Sequence, residues 1–171
     1  MSEATRRLFF ALWPDEHIRQ GIVVRRERLG RVGRRRVPEH NLHLTLVFLG
    51  NQPADRLPEF VAAAEEIRAA GCTLELDQYG WFARARVVWL GGEAPAPLIE
   101  LQAGLRREML ELGLWLDERP FRPHVTLFRQ VSRPPPLVDP EPLAWPIRDF
   151  VLVESLPGAP YRVVQRWQLR A

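Results

Sequence analysis

The strongest constraint in this sequence is a four-residue pattern that occurs twice, as His43-Leu44-Thr45-Leu46 and as His124-Val125-Thr126-Leu127. The chain has only four histidines and four threonines. Random placement would give roughly 0.1 His-x-Thr pairs in a chain of this length. One copy would carry little weight. Two copies, separated by nearly half of the 171 residues, indicate a duplicated unit.

The elements predicted before each copy follow the same order. A strand from Leu8 to Trp13 and a helix from Pro14 to Gly30 precede the first copy. A strand from Arg86 to Leu90 and a helix from Pro97 to Gly113 precede the second. Proline at the start and glycine at the end mark both helices. The order strand, helix, His-x-Thr-Leu strand therefore predicts two similar lobes related by an approximate two-fold axis.

The rest of the chain is assigned by periodicity and by turn residues. A third helix is expected from Pro53 to Gly71, an exposed basic loop over Arg31 to Pro38 and an extended connection over Ser132 to Pro142. No long linker divides the chain, so residues 1–171 are expected to form a single domain. The remaining strands are predicted over Leu42 to Leu49, Thr73 to Phe82, His124 to Arg129, Phe150 to Glu154 and Arg162 to Leu169.

A strand gives the repeated pattern a geometric meaning. Side chains at i and i+2 lie on the same face, about 6.6 Å apart along the strand. Each copy would therefore present one imidazole and one hydroxyl on one face, with leucines anchoring the other face in a core. Two such strands side by side would surround a small anion with hydrogen-bond donors. A phosphate with four oxygens matches this arrangement.

Two histidines also suit phosphodiester chemistry. A neutral imidazole can take a proton from an attacking water while a charged one protonates the departing oxygen. The unperturbed histidine pKa near 6.5 makes both forms accessible. The alternative is that His43 and His124 are ordinary strand histidines bonded to backbone, and that Thr45 and Thr126 reflect β-propensity. Repetition of the pattern favours function.

A metal site is not expected. His40 forms a His-x-x-His pair with His43, but two nitrogens do not complete a zinc site and no further ligand cluster accompanies Cys72. We therefore predict no metal and no cofactor. His17 is expected on the solvated side of its helix.

The composition favours a cytoplasmic protein and says little about its ligand. The single cysteine excludes an intramolecular disulfide and suits a reducing compartment. We expect no signal peptide and no membrane contact, because the N-terminal residues are polar and the apolar run from Leu8 to Trp13 is too short to span a bilayer. All 24 basic residues are arginine, which pairs well with phosphate. A GC-rich genome would produce the same excess, so arginine content alone decides little.

The sequence resembles the 2H phosphoesterases, a family named for two His-x-Thr motifs. Among these it looks most like the bacterial RNA 2',3'-cyclic phosphodiesterases, also called 2'-5' RNA ligases. The resemblance covers nearly the whole chain in family order. It rests on Arg7-Leu-Phe-Phe-Ala11, Asn41-Leu-His-Leu-Thr-Leu-Val-Phe-Leu-Gly50, Arg86-Val-Val-Trp-Leu-Gly91 and Arg119-Pro-Phe-Arg-Pro-His-Val-Thr-Leu-Phe-Arg129.

The resemblance implies a bilobal α+β fold, with an antiparallel sheet and helices in each lobe and the histidines facing each other across a central cleft. It further implies metal-independent hydrolysis of a 2',3'-cyclic phosphate to a 2'-phosphate. His43 would be the proton donor to O3' and His124 the proton acceptor that activates water. Thr45 and Thr126 would hold the phosphate oxygens, with added charge from Arg129.

Arg129 conflicts with simple alternation along the strand. It is odd-numbered, whereas His124 and Thr126 are even-numbered, so its side chain should lie on the other face unless the strand ends or bulges before it. We include it in the predicted site on the strength of the resemblance.

Two other functions stay open at this point. A ligase would join a 2',3'-cyclic phosphate end to a 5'-hydroxyl with the same two histidines. A non-catalytic RNA-binding module would not need a paired acid and base. The expected partner in each case is RNA or a nucleotide, and we expect a monomer. Phe9, Phe10, Trp13 and Trp81 are candidates for stacking on a base, but the sequence selects none of them.

Overall fold

The computed structural model describes residues 4–171. Residues 1–3 lie outside the described residues. They begin the N-terminal segment in which no signal peptide was expected. The helices are α1 (Glu16–Arg28), α2 (Leu57–Glu65) and α3 (Ala96–Glu111). The strands are β1 (Thr5–Leu12), β2 (Arg35–Arg36), β3 (Leu44–Pro53), β4 (Cys72–Leu76), β5 (Gln78–Phe82), β6 (Val87–Gly91), β7 (His124–Arg129), β8 (Leu143–Ile147), β9 (Asp149–Ser155) and β10 (Arg162–Gln168).

The main sheet is antiparallel and consists of two halves. Its strand order is β10-β9-β1-β3-β7-β6-β5, with β2 paired to β7, while β4 and β8 form a separate two-stranded sheet. β1 pairs with β3 along its whole length, and β6 pairs with β7. In contrast, β3 and β7 pair at Leu44 and Val125 alone. The structure thus confirms the predicted bilobal α+β fold.

The duplication is visible in the backbone irregularities of the two halves. Thr45 is opposite Ala11 and Val47 opposite Phe10, so Leu46 is an extra residue in β3. Thr126 is opposite Trp89 and Phe128 opposite Val88, so Leu127 is an extra residue in β7. A β-bulge therefore occurs at the final leucine of each His-x-Thr-Leu pattern.

The helices connect the two halves. Gln102 of α3, in the second repeat, donates a hydrogen bond from Nε2 to the Leu46 carbonyl of β3 in the first repeat (3.3 Å). Conversely, the Tyr79 hydroxyl of β5 donates to the Arg25 carbonyl of α1 (2.7 Å). Leu42, Leu44 and Leu46 are buried, as predicted, and belong to one hydrophobic core that draws on both halves. Separating the halves would expose that core to water.

The helix predictions are largely confirmed. The Asp15 carboxylate caps α1 by accepting a hydrogen bond from the Ile18 amide (2.9 Å). The prediction for α2 was too long, because Pro53 ends β3 and the 3₁₀ turn Ala54–Arg56 precedes the helix. Ile67 lies beyond α2 and still packs against the core. Within residues 4–171, no helix is long and apolar enough to cross a membrane.

Three segments differ from the sequence predictions. The single strand expected over Thr73 to Phe82 divides at Asp77 into β4 and β5, which pair in different sheets. The expected basic loop contains the short strand β2. The strand β8, which was not predicted and includes Pro146, pairs with β4. These pairings join residues distant in sequence, so local periodicity could not predict them.

The division at Asp77 depends on a close backbone approach at Gly92. The Asp77 amide donates to the Gly91 carbonyl (2.9 Å), and a Cβ on Gly92 would lie 1.9 Å from the Glu75 carbonyl oxygen. Gly92→Ala should therefore force the backbone apart and lower the free energy of unfolding by about 1–3 kcal/mol, measured by urea denaturation.

A matched control lies in α3. A Cβ on Gly104 would lie 3.2 Å from the Ile67 Cδ1, the flexible end of a side chain. Because alanine favours a helix over glycine by about 1 kcal/mol, Gly104→Ala should be neutral or stabilising. Equal destabilisation by both substitutions would contradict the role given to Gly92.

Candidate active site

The site lies where the two half-sheets meet. Extending the Leu44–Val125 register by one residue in each direction sets His43 across from Thr126, and Thr45 across from His124. These four side chains line one cavity together with Val37, Asn41 and Arg129. The cavity volume is about 60 Å³, far below the roughly 300–1,000 Å³ of sites that enclose drug-sized ligands. It can hold a phosphate group, with the rest of a nucleotide outside.

Both imidazoles are held in the same way. The Nδ1 atom of His43 is 2.6 Å from the Asn41 carbonyl oxygen, and Nδ1 of His124 is 2.7 Å from the Arg122 carbonyl oxygen. A carbonyl oxygen accepts only, so each Nδ1 must carry a hydrogen and donate it. In the neutral ring this leaves the lone pair on Nε2. The carbonyl two residues before each histidine thus selects the tautomer in which Nε2 is the atom that exchanges protons.

The hydroxyl of Thr45 takes part in this arrangement directly. Its Oγ1 lies 2.9 Å from Nε2 of His43. With the neutral ring, the hydroxyl donates to Nε2. With the charged ring, Nε2–H donates to the hydroxyl oxygen. Thr45 can therefore form a hydrogen bond with Nε2 of His43 in either protonation state.

Aromatic rings surround His43. Trp13 stacks on the imidazole with the ring centroids 5.2 Å apart and the planes within 9°. Phe9 lies at 4.9 Å and the edge of Tyr161 at 5.4 Å. Burial among these rings disfavours the charged imidazole and lowers the pKa of His43 to about 4, helped by the positive charge of Arg129 and opposed by the bond to Asn41.

His124 has a more open environment. Phe82 meets its ring edge-on at 5.0 Å and Trp89 lies at 6.1 Å. Its pKa is also lowered, chiefly by burial and further by the nearby charges of Arg122 and Arg129, against the bond to the Arg122 carbonyl. The protein alone thus favours the neutral form of both rings. A bound anion would favour the charged form.

The bulge in β7 explains the position of Arg129. Leu127 and Phe128 are both buried, so alternation restarts after the extra residue and Arg129 shares the cavity face with Thr126. The prediction for Arg129 required a bulge in the strand before it, and that bulge is present. Arg129 supplies a guanidinium beside the two histidines, where it can form two parallel hydrogen bonds with a phosphate.

Several residues around the cavity were not predicted from the sequence. Asn41 was noted without a role, and Tyr161 comes from a segment before β10 with no local signal. Of the four aromatic candidates, Phe9 and Trp13 contact His43, whereas Phe10 belongs to the core and Trp81 donates to the Val131 carbonyl (2.9 Å). His17 and His40 are exposed. Within residues 4–171, no three His, Cys, Asp or Glu side chains group as metal ligands.

Comparison with known proteins assigns the family. A model of the 2'-5' RNA ligase superfamily matches residues 13–158. The chain belongs to the 2'-5' RNA ligase superfamily. This confirms the resemblance to the 2H phosphoesterases that the two His-x-Thr patterns indicated.

Two relatives in this superfamily match over almost all of the chain. The RNA 2',3'-cyclic phosphodiesterase of Escherichia coli (strain K12) is 37% identical, with 99% of each chain covered. The protein of the same name from Thermus thermophilus is 32% identical over 96% of this chain and 90% of the relative.

Solved structures agree with the observed fold. The crystal structure of E. coli LigT complexed with 3'-AMP superposes with a TM-score of 0.87 at 36% identity, covering 97% of this chain and 99% of the other. The structure of TT0787 from T. thermophilus gives 0.80 at 34% identity, covering 96% and 98%.

The lowered pKa of His43 has a consequence for stability. In the unfolded chain its pKa is near 6.5, so the unfolded state binds more protons between that value and about 4. The free energy of unfolding should therefore fall as the pH drops through this range. His43→Gln should flatten the profile, measured by urea denaturation at several pH values. His17→Gln, at an exposed histidine, is the control, and identical profiles for wild type and His43→Gln would contradict the burial argument.

Proposed function

We propose that this chain is an RNA 2',3'-cyclic phosphodiesterase that produces a 2'-phosphomonoester and a free 3'-hydroxyl. The observation that carries the proposal is the convergence of both His-x-Thr patterns on one cavity of phosphate size. Two relatives named RNA 2',3'-cyclic phosphodiesterase, matched over 99% and 96% of this chain, support it. We further propose that residues 1–171 work as one domain, since the cavity takes residues from both halves. The monomeric state and the cytoplasmic location stay predictions.

The proposed reaction places the cyclic phosphate in the cavity between the two Nε2 atoms. Nε2 of His124 takes a proton from a water molecule, whose oxygen forms a bond to phosphorus. The bond between phosphorus and O3' breaks, and Nε2–H of His43 protonates the departing oxygen. Thr45, Thr126 and Arg129 hold the other phosphate oxygens, where charge develops in the transition state.

The lowered pKa of His43 has to be reconciled with its proposed role as the proton donor. A proton donor must start charged. The pKa of His43 is nonetheless lowered, because the effect of burial outweighs the hydrogen bond to the Asn41 carbonyl, which favours the charged ring. The substrate can meet this demand, since its phosphodiester carries a negative charge that favours an adjacent imidazolium. Donor and acceptor roles follow the family pattern, and catalysis would begin only once the anion is bound.

Joining of RNA ends is a second candidate, favoured by the name of the superfamily. A 5'-hydroxyl would replace water at His124, and the same two proton transfers would operate. In contrast, a module that only binds RNA would gain nothing from two histidines held in one tautomer, with Nε2 as the atom that exchanges protons.

The proposed function is tested with a short RNA that ends in a 2',3'-cyclic phosphate, in excess EDTA and with or without a 5'-hydroxyl RNA. We expect turnover in chelator and a 2'-phosphate product, identified by chromatography against 2'- and 3'-phosphate standards. A 3'-phosphate product would mean that the scheme is reversed. Joining faster than hydrolysis would favour the ligase, and binding without turnover would favour the RNA-binding module.

The two histidine roles are separated by the leaving group. With the cyclic phosphate, His43→Ala and His124→Ala should each lose about 10²–10⁴-fold in kcat, the usual worth of one proton transfer. With a 3'-deoxynucleoside 2'-(4-nitrophenyl phosphate), which has no 3'-hydroxyl to attack phosphorus, water is the nucleophile and the leaving nitrophenolate needs no proton. His43→Ala should then recover most of its rate, while His124→Ala should not. If the rate recovers in His124→Ala and not in His43→Ala, His124 is the proton donor and His43 the proton acceptor.

A matched control is His40→Ala, which removes an exposed imidazole three residues from His43. It should keep the wild-type rate on both substrates. Melting temperatures of the three variants show whether a lost rate reflects lost folding.

A further inference from the structure

Arg35 stands next to the proposed phosphate site. It is directly opposite Arg129 in the pairing of β2 with β7. Directly opposed residues of an antiparallel pair have their side chains on the same face, with Cβ atoms about 4.5–5.5 Å apart. Because Arg129 lines the cavity, Arg35 lies on the cavity face as well. Val37, two residues further along the same backbone, also lines the cavity, which agrees with this position.

Arg35 nevertheless lies outside the cavity, at its rim. It is exposed and is not among the seven residues that line the cavity. Arg129 can therefore contact a group inside the cavity, and Arg35 can contact a group that projects from it.

The two guanidinium groups have no acidic partner in the described chain. Within residues 4–171, no carboxylate oxygen lies within the 4.0 Å of an ion pair from either one. Like charges directly opposite each other destabilise a strand pair. The neighbouring Arg36 differs, because it lies on the other face and pairs with Glu27 (3.2 Å). An unpaired positive pair on the cavity face attracts a second anionic group.

We propose that Arg35 binds the phosphodiester immediately upstream of the terminal cyclic phosphate, and so makes the enzyme prefer RNA ends to mononucleotides. This rests on the proposed cyclic phosphodiesterase function. The terminal phosphate occupies the small cavity, so the rest of the RNA lies outside it, and Arg35 stands on the rim beside Arg129 where it can contact the next phosphodiester. A nucleoside 2',3'-cyclic phosphate has no upstream phosphodiester and makes no use of Arg35.

The test compares two substrates, adenosine 2',3'-cyclic phosphate and the dinucleotide ApA with a 2',3'-cyclic phosphate end. Arg35→Gln should lower kcat/KM for the dinucleotide roughly tenfold, as expected for loss of a hydrogen bond to a charged group. It should leave the mononucleotide unchanged. Arg35→Lys should keep part of the preference, since it keeps the charge. Arg36→Gln, the matched control, should change neither substrate.

Two further measurements separate binding from a structural role. The slope of log kcat/KM against log salt should lose about 0.7 for the dinucleotide in Arg35→Gln, the value for one single-strand phosphate contact. The melting temperature should stay the same or rise, because a like-charge contact is removed. A structural role for Arg35 would lower it.

The outcomes distinguish failure of this inference from failure of the proposed function. Equal losses on both substrates, or no loss on either, would overturn the role of Arg35. If wild type hydrolyses neither substrate, the proposed function fails. The binding arm then decides for Arg35, by calorimetry with adenosine 2'-phosphate and with ApA bearing a 2'-phosphate. If Arg35→Gln weakens binding of the dinucleotide but not of adenosine 2'-phosphate, and Arg36→Gln weakens neither, the inference is supported. Unchanged binding of the dinucleotide in Arg35→Gln refutes it.

Discussion

The pairing of Leu44 with Val125 is the contact on which the rest of the site depends. It is the sole pair between β3 and β7, and each partner directly follows a histidine of the repeated pattern. Strand register has a period of two, so a slip of one residue would turn every side chain to the other face. The burial of Leu44 and Val125 opposes such a slip, because both would leave the core. The hydrophobic core thus determines where the two imidazoles face each other.

The two halves of the site hold their imidazoles in the same orientation, but they surround them with different groups. Each Nδ1 donates to the carbonyl two residues earlier, so in both rings Nε2 is the atom that can exchange a proton. The surroundings then differ, with three aromatic rings against His43 and two against His124. At the position equivalent to Arg129 the first half has Phe48, beneath the Arg7 guanidinium at 4.7 Å. One half therefore contributes an arginine to the cavity and the other does not, as the proposed reaction with one acid and one base would require.

Much of this could be predicted from the sequence where the signal is local. The repeated pattern singled out His43, Thr45, His124 and Thr126, which line one cavity in the structure. Proline and glycine marked the ends of α1 and α3. Residues whose role depends on distant partners were missed. Tyr161 contacts His43 from a segment more than a hundred residues away, and β8 forms only because β4 is available to pair with it. Arg35 was assigned to a loop because two residues carry no periodicity, and its partner in β7 gives that segment its strand geometry.

The sequence by itself determined which groups are available for chemistry and which face of each strand they share, because side-chain alternation is a property of the backbone within one strand. It also determined the duplication, since the order of elements repeats along the chain. Only the tertiary structure decided that the two strands meet at one residue pair, that a bulge turns Arg129 toward the histidines and that Arg35 stands opposite it. It also decided the burial and the tautomer of the imidazoles. Burial and tautomer depend on rings, charges and carbonyl groups that the fold brings together in space, and no pattern within a single strand contains them.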